Sequence, residues 1–457
     1  MPVDPQLRAQ IELILDRHRE DVRVFPEDWE EADDVEYLYR KNTILVRERD
    51  VDRVTDALPQ ILGEEGREYA PPAEGPPFGP ERVVGEVFRL MVPDPPPPLP
   101  TLLDRLDAFF GKSVARLDHM LYVSPHSCPA TEPIAVPGWS DPVPPAGVNA
   151  RCCRHHHIPP PGCDGAGVTI SIVDTGLIPN AATGHSWLAG VRGSQEDPYT
   201  TDADGNRIIA PYAGHGTFVA GVARCMAPRA SAYVERGFRI DAAGAAFETD
   251  LALRLEDALD RNPDILVFTF VTTSRNDHSL FTFDDIFRRR IRYLKGLVVL
   301  APAGNDGQRR RNWPAAYREV ISVGALAANS ASRAYFSNYG RWVDVYAPGE
   351  DLVNAFPTGT YVCNEPPIGE RREFHGMAKW SGTSFSTPVV AGMIAARMSA
   401  TGENAQQAAD SLLRIACRQA IPGVGAVLHP GQACCEAGHC GQGCDQEDGQ
   451  EGCRCGK

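Results

Sequence analysis

Apolar residues change period several times in the first 125 positions, and each change predicts an element. Residues 1–20, MPVDPQLRAQIELILDRHRE, set apolar positions at helical spacing among charges, the pattern of an amphipathic helix. Residues 42–47 (NTILVR) read as a strand, and 51–62 (VDRVTDALPQIL) return to mostly helical spacing despite Pro59. A second strand is expected over 83–92, a further short one near 67–70, a helix over 102–110 and a closing apolar strand over 115–123. Six prolines within 93–100 (PDPPPPLP) predict a stiff, extended spacer. This order fits a small α+β domain over 1–125 with a ferredoxin-like layer.

The pattern then dissolves. Residues 126–165 are rich in Pro, Gly, Ser and Cys without periodicity, as expected of a linker or exposed loop. At 168–173 (VTISIV) a continuous β-branched run begins, the mark of a strand buried on both faces of a parallel sheet. Comparable runs at 232–235, 265–270, 296–301 and 320–324 alternate with helical stretches such as 249–259 and 284–294. Strands alternating with helices predict an α/β domain over 166–428, built on a doubly wound, mostly parallel sheet. Residues 429–457 hold too few apolar positions for a core and are expected to be a disordered, Cys-rich tail, with zinc binding as the second reading.

Composition narrows the function. A formal charge of -15 argues against a nucleic-acid partner, and no run of eighteen apolar residues predicts a membrane span. The amino terminus lacks an uninterrupted apolar segment followed by a small-residue cleavage site, so a cytoplasmic location is expected. Thirteen cysteines, six of them in the last 24 residues, are odd in number and unevenly placed, which fits reduced thiols better than a disulfide framework. Cys152-Cys153-Arg154-His155-His156-His157 has metal-binding atoms, but neighbours in an extended segment point in opposite directions, so a solvated loop is the expectation. Asp202-Ala203-Asp204-Gly205-Asn206 lacks most of a calcium loop's ligand pattern and reads as a polar hairpin turn.

Four positions carry chemistry. Ser384 lies in Ser381-Gly382-Thr383-Ser384-Phe385-Ser386-Thr387-Pro388, a turn that delivers a hydroxyl to the first turn of an apolar helix, where free N–H groups favour a developing anion. Pro388 is compatible with that first turn. Asp174 ends the 168–173 strand, where parallel sheets place their sites, and His215 stands between two glycines at the start of an apolar helix. Asn305 follows another apolar strand and offers a side-chain N–H for an oxyanion. Together these residues supply a carboxylate, a base, a nucleophile and a hydrogen-bond donor.

The motifs VDTG at Asp174, GHGTFVAG at His215, PAGN at Asn305 and SGTSFSTPVVAG at Ser384, in that order, resemble the subtilisin-like serine proteases, the subtilase family. Segments 313–324, 336–340 and 345–349 resemble it too. The resemblance implies a serine endopeptidase acting on a protein or peptide, with Asp174, His215, Asn305 and Ser384 catalytic and no cofactor or metal in the chemistry. It further implies that Thr269, Phe270, Val271, Ala303, Gly304 and Asn312 bind substrate. Val271 stands where the family carries glycine and adds bulk beside the cleft, so a narrow substrate preference is expected. Arg309-Arg310-Arg311 is either a solvated run or a source of preference for acidic residues, and Arg288-Arg289-Arg290 reads as a solvated helix face. Subtilases often carry a ferredoxin-like propeptide. Residues 1–125 are accordingly either such a unit, blocking the chain's own active site and removed by cleavage in the linker, or a permanent partner-binding domain. Other classes are a catalytically silent binding module, disfavoured by the intact set of four, and an esterase, disfavoured because Gly382-Thr-Ser-Phe-Ser386 is not a G-x-S-x-G elbow.

Overall fold

A computed structural model describes residues 5–32, 35–62, 79–92, 98–123, 132–136, 162–239, 241, 243–365 and 367–433. Helix α1 (Pro5–His18) and strand β1 (Val22–Phe25) precede β2 (Tyr37–Arg47), α2 (Val51–Leu62), β3 (Glu81–Val84), β4 (Val87–Met91), α3 (Leu99–Phe110) and β5 (Ala115–Tyr122). The strand order β5-β2-β4-β3, antiparallel throughout, is the ferredoxin-like arrangement, and β1 pairs with β2 in addition. The strand expected over 83–92 is instead a hairpin, because Gly85 turns the chain at a φ of 49°. Helix α3 starts inside the proline run, since Pro100 falls where a missing N–H costs nothing. The short strand expected near 67–70 lies outside the described residues.

Period-two alternation on β2 divides this sheet between two cores. Ile44 and Val46 pack with Val54, Leu58, Leu102 and Leu106 inside the unit. Leu45, on the opposite face, joins Val87 and Leu121 against Leu251, Leu255, Phe281 and Phe283 of the second domain.

That second domain starts from β6 (Ile134–Ala135) and β7 (Thr169–Asp174), followed by α4 (Ala181–Gly184), β8 (Arg192–Gly193), β9 (Tyr199–Thr201) and β10 (Arg207–Ile209). Next come α5 (His215–Met226), β11 (Ser231–Arg236), β12 (Ala245–Phe247), α6 (Glu248–Asp260), β13 (Ile265–Phe268), α7 (Phe281–Arg289), β14 (Val298–Pro302), β15 (Val320–Leu326) and β16 (Val345–Pro348). The hairpin β17 (Leu352–Val362) and β18 (Arg371–Trp380) leads into α8 (Thr383–Thr401) and α9 (Ala405–Arg418). Seven strands form the parallel sheet β16-β15-β14-β13-β7-β11-β8. Helices α5, α8 and α9 cover one face and α6 and α7 the other, which is the doubly wound plan.

Several expectations change. The helix expected over 284–294 is α7 followed by a separate short turn at Ile291–Tyr293. Residues 132–136, placed in the linker, carry β6 on the edge of the five-stranded sheet β6-β18-β17-β10-β9. The ordered chain runs past 428, because Ala433 joins the core. Asp202 does cap the hairpin between β9 and β10, accepting N–H bonds from Asp204 at 3.1 Å and Asn206 at 2.8 Å. Cys163 and Cys417 are disulfide-bonded, against their reading as reduced thiols, while Cys225 and Cys363 are free. The Cys152–His157 cluster and the cysteines from 434 onward lie outside the described residues.

The arginines at 288–290 are not a solvated face but tie three elements together. Arg288 meets Glu86 at 2.7 Å and Asp285 at 2.6 Å, Arg289 meets Asp285 and Glu256, and Arg290 meets Glu256 and Asp260. At the same junction Glu248, the first residue of α6, is fully buried, eased by the Thr282 backbone but with no ion-pair partner among the described residues. It faces Asp118 and Arg116 of β5, Asp284 of α7 and the Tyr317 ring, and burial holds its carboxyl well above the usual range. The native state therefore keeps this proton to higher pH than the unfolded chain does. Stability is full below the ordinary carboxylate range and falls as pH rises towards the raised value. Glu248→Gln, which keeps the shape without the charge, is expected to match the wild type in urea midpoint at about pH 4, below the ordinary carboxylate range, and to exceed it at about pH 9. Parallel curves with no pH-dependent difference would show that this carboxyl ionises freely.

Candidate active site

Asp174 closes β7 at the centre of the sheet, fully buried, and every donor around it is accounted for by the local fold. Oδ1 accepts the Thr175 N–H at 2.6 Å, and Oδ2 accepts the Thr269 hydroxyl at 2.6 Å from the end of the adjacent strand. His215 Nδ1 lies 2.9 Å from both oxygens. The imidazole thus donates from Nδ1 and leaves Nε2 to act as a base. His215 is the first residue of α5 and is 2% exposed. Gly216 beside it admits no side chain, since a Cβ there would stand 2.4 Å from the Gly176 carbonyl oxygen.

An aromatic wall fixes the ring from behind. Trp380 meets His215 edge-on at 5.4 Å between centroids, Phe385 lies at 5.1 Å, and Phe218 packs on Phe385 at 4.5 Å. The Phe218 position is accordingly a packing one.

Ser384 is the second residue of α8, in the first turn where backbone N–H groups have no intrahelical acceptor. Asn305, 4% exposed, is oriented by Thr383: its Oδ1 accepts the Thr383 N–H at 2.8 Å and hydroxyl at 2.9 Å. That leaves Nδ2 on the side of Gly382, 3.7 Å from where a Cβ on that residue would stand. A side-chain N–H and the first turn of α8 therefore border the same small space.

A strand already occupies the cleft. The outer edge of β5 pairs with β12 at Tyr122↔Ala245, Leu121↔Ala246 and Met120↔Phe247. On its other side Tyr122 exchanges both backbone bonds with Val271, at 3.2 and 3.1 Å. Val123 N–H then donates to Gly244 O at 3.1 Å. Gly244 permits this approach through a φ of 64° and the lack of a Cβ, which would stand 2.8 Å from the Val123 side chain. The Ser384 hydroxyl points at two main-chain carbonyls, Val123 O at 3.3 Å and Thr269 O at 3.2 Å.

The expected substrate-binding residues divide by role. Thr269 presents its carbonyl to Ser384 and its hydroxyl to Asp174, and Val271 pairs with the bound strand. Val271 also packs with Leu7, Ile11 and Met120, so its bulk serves the contact with the N-terminal unit. The Phe270 ring is buried against Phe238, Phe268 and Phe283, so it is the main chain at this position that lies beside Thr269 and Val271. Ala303 and Gly304 line the strand end beside Asn305, where Asn312 Nδ2 donates to Ala303 O and to Asp306 Oδ2, each at 3.3 Å. Arg310 and Arg311 face Glu36 at 3.8 Å and Asp277 at 3.9 Å, and Arg309 lies over the Tyr339 ring.

Sequence reasoning missed Glu196. It is 1% exposed and accepts the Gly214 N–H at 2.6 Å and the Thr175 hydroxyl at 2.8 Å, directly behind the Asp174–His215 pair. Its setting, SQEDPYTTDADG, reads as solvated loop, and no local pattern marks the acid that turns inward.

Comparisons with known proteins show the family and the fold. A family model described as the subtilase family matches residues 165–421. Thermitase of Thermoactinomyces vulgaris is 32% identical over 257 residues, covering 53% of this chain and 78% of that protein. Subtilisin DY of Bacillus licheniformis is 29% identical over 250 residues, 51% of this chain and 77% of that one. In fold, the chain is similar to fervidolysin of Fervidobacterium pennivorans, with a TM-score of 0.56 at 17% identity over 86% of this chain and 61% of that chain.

Thr269→Val tests the environment of the buried carboxylate. It removes a 2.6 Å donor to Asp174 while keeping the volume, and a hydrogen bond to a buried charge is worth about 1.5–3 kcal/mol. A fall of that size in unfolding free energy is expected from denaturant titration; an unchanged value would mean that Asp174 is not held as a charge there.

Proposed function

Because this chain belongs to the subtilase family and is a serine endopeptidase, we propose that it cleaves peptide bonds through Ser384, His215 and Asp174, with Asn305 in the oxyanion site. The observation that carries the reading is the buried Asp174–His215 pair, 2.9 Å apart, whose imidazole lies 5.1 Å between ring centroids from Phe385, the residue after Ser384 in the first turn of α8. In the reaction Ser384 Oγ attacks the scissile carbonyl carbon as its proton passes to His215 Nε2. The imidazolium is stabilised by Asp174, and the tetrahedral oxyanion by Asn305 Nδ2 and the Ser384 N–H. His215 then returns the proton to the leaving amine. Water, deprotonated by the same nitrogen, releases the acyl group from Ser384. Each proton and each charge has a protein group to hold it.

In the same reading a substrate binds as an extended strand between β12 and Val271, the place now held by β5. The N-terminal unit is thus a tethered occupant of its own active site. Its cation and acid contacts across the junction, Arg40 with Asp250, Arg47 with Asp284 and Arg275 with Asp104 and Asp107, support a specific fit. Cleavage within 124–165 would convert the intramolecular occupant into a separable one. The walls at Val271 and Asn312 support a narrow choice of substrate.

The test is the intact mass of the purified full-length chain beside Ser384→Ala after incubation at neutral pH. The wild type is expected to be cut within 124–165 and the variant to stay whole; equal cleavage of both would rule Ser384 out as the nucleophile. In the same background Asn305→Ala is expected to slow cleavage by about 100- to 1,000-fold, the usual cost of one oxyanion donor.

A further inference from the structure

The buried acid behind the triad bonds to the backbone on one side of His215 directly and on the other through one hydroxyl. Glu196 Oε1 accepts the Gly214 N–H at 2.6 Å, just before His215. Glu196 Oε2 accepts the Thr175 hydroxyl at 2.8 Å, and Thr175 Oγ1 in turn accepts the Gly216 N–H at 3.0 Å, just after His215. Thr175 also gives its own N–H to Asp174 Oδ1 at 2.6 Å. One carboxyl therefore fastens the turn that holds the carboxylate of the pair to both peptide groups flanking its imidazole. The charged groups that face it are Asp174 on β7 and Arg236 at the end of β11, whose guanidinium donates to Gln195 O at 3.1 Å.

Resting on the triad reading above, we propose that Glu196 is a positioning residue, which aligns His215 and makes the imidazole responsive to pH through the direction of one hydroxyl hydrogen bond. As a carboxylate, Glu196 accepts from the Thr175 hydroxyl, and the Thr175 oxygen is left with its lone pairs towards Gly216. As a carboxylic acid, protonated on Oε2, it donates to that oxygen instead, and the threonine proton must turn elsewhere. The switch falls in a useful range. Burial, opposed by the bonds from Gly214 and Thr175 and reinforced by Asp174, pushes the Glu196 carboxyl up to about 8. Below that pH the acid form holds; above it the carboxylate form accepts from the Thr175 hydroxyl.

Gln at 196 is a frozen copy of the acid form, since its amide N–H₂ can donate to Thr175 while its oxygen accepts from Gly214. This makes the idea testable without turnover. The experiment is a pH titration of the low-field proton NMR signal of His215 Nδ1–H, in the full-length chain carrying Ser384→Ala to prevent self-cleavage, assigned by its loss in His215→Ala. With Glu196 the signal is expected to shift in a step with its midpoint near 8. E196Q should keep the signal and lose that step, a result that general damage to the site would not produce. T175V, which retains the acid but removes the hydroxyl, should flatten the step at least about threefold. A step near 8 that persists in E196Q overturns the proposal, and one of full size in T175V overturns the hydroxyl route. Absence of any low-field signal with Glu196 in place would strike at the Asp174–His215 pair itself, a different failure from an unaltered titration.

Discussion

A charge that has left water must be answered by donors, and the carboxylate of Asp174 is the place where this chain meets that demand. Fully buried at the end of a central strand, it would be costly without partners. Its donors come from three separate parts of the chain: the next peptide group, the first residue of α5 and the end of the strand beside it. The imidazole is thus oriented as a by-product of solvating the acid. Helix α5 cannot shift without uncovering the carboxylate, and the sheet cannot lose the order β13-β7-β11 without moving Thr269 away. Glu196 extends the same logic one layer further, from side chains to the peptide groups that carry them.

The cleft follows from a second unsatisfied requirement. Between β12 and the segment at Val271 lie two backbone edges with donors and acceptors to fill, and an unpaired edge is a template for any extended chain. In the intact molecule β5 fills it and is itself paired on its inner side with β2. The N-terminal sheet and the strand in the cleft are one continuous hydrogen-bonded surface, ending at the Ser384 hydroxyl. A strand so supported has little conformational entropy left to lose on pairing with these edges.

Charge organises the junction beneath that strand. Asp118 is buried on β5 yet paired with Arg40 at 2.7 Å and with the Thr249 hydroxyl at 2.8 Å, whereas Glu248, whose charge acts on Asp118, has no ion-pair partner among the described residues. The arginines of α7 reach the β3–β4 turn through Glu86 and neighbouring helix α6 through Glu256. The two halves are thus joined by an apolar face from Leu45, Val87 and Leu121 and by ion pairs around its rim.

Much of this was legible in the amino-acid order, because its causes are local. Continuous β-branched runs announce buried parallel strands, period-two and helical spacing mark the N-terminal elements, and a small-residue turn before an apolar helix shows where Ser384 and His215 begin their helices. Asp174, His215, Asn305 and Ser384 stand out in combination, each at the edge of an apolar element, and the α/β class followed from alternation. What the sequence could not determine depends on partners far away along the chain. Glu196 looks like any loop acid until folding brings Gly214 and Thr175 around it; that the Phe270 ring packs inward while its main chain lies beside Thr269 and Val271 is likewise settled by the pleat. The arginines at 288–290 read as solvent-facing because their acids, Glu86, Glu256 and Asp260, lie on other elements. The resemblance offered residues 1–125 as one possible occupant of the cleft, but which backbone edges β5 pairs with is not marked in an edge strand's own sequence. Local order sets which elements form and which atoms are reactive; only the tertiary structure decides which buried charges find donors, and from that follows where the reactive atoms stand and what covers them.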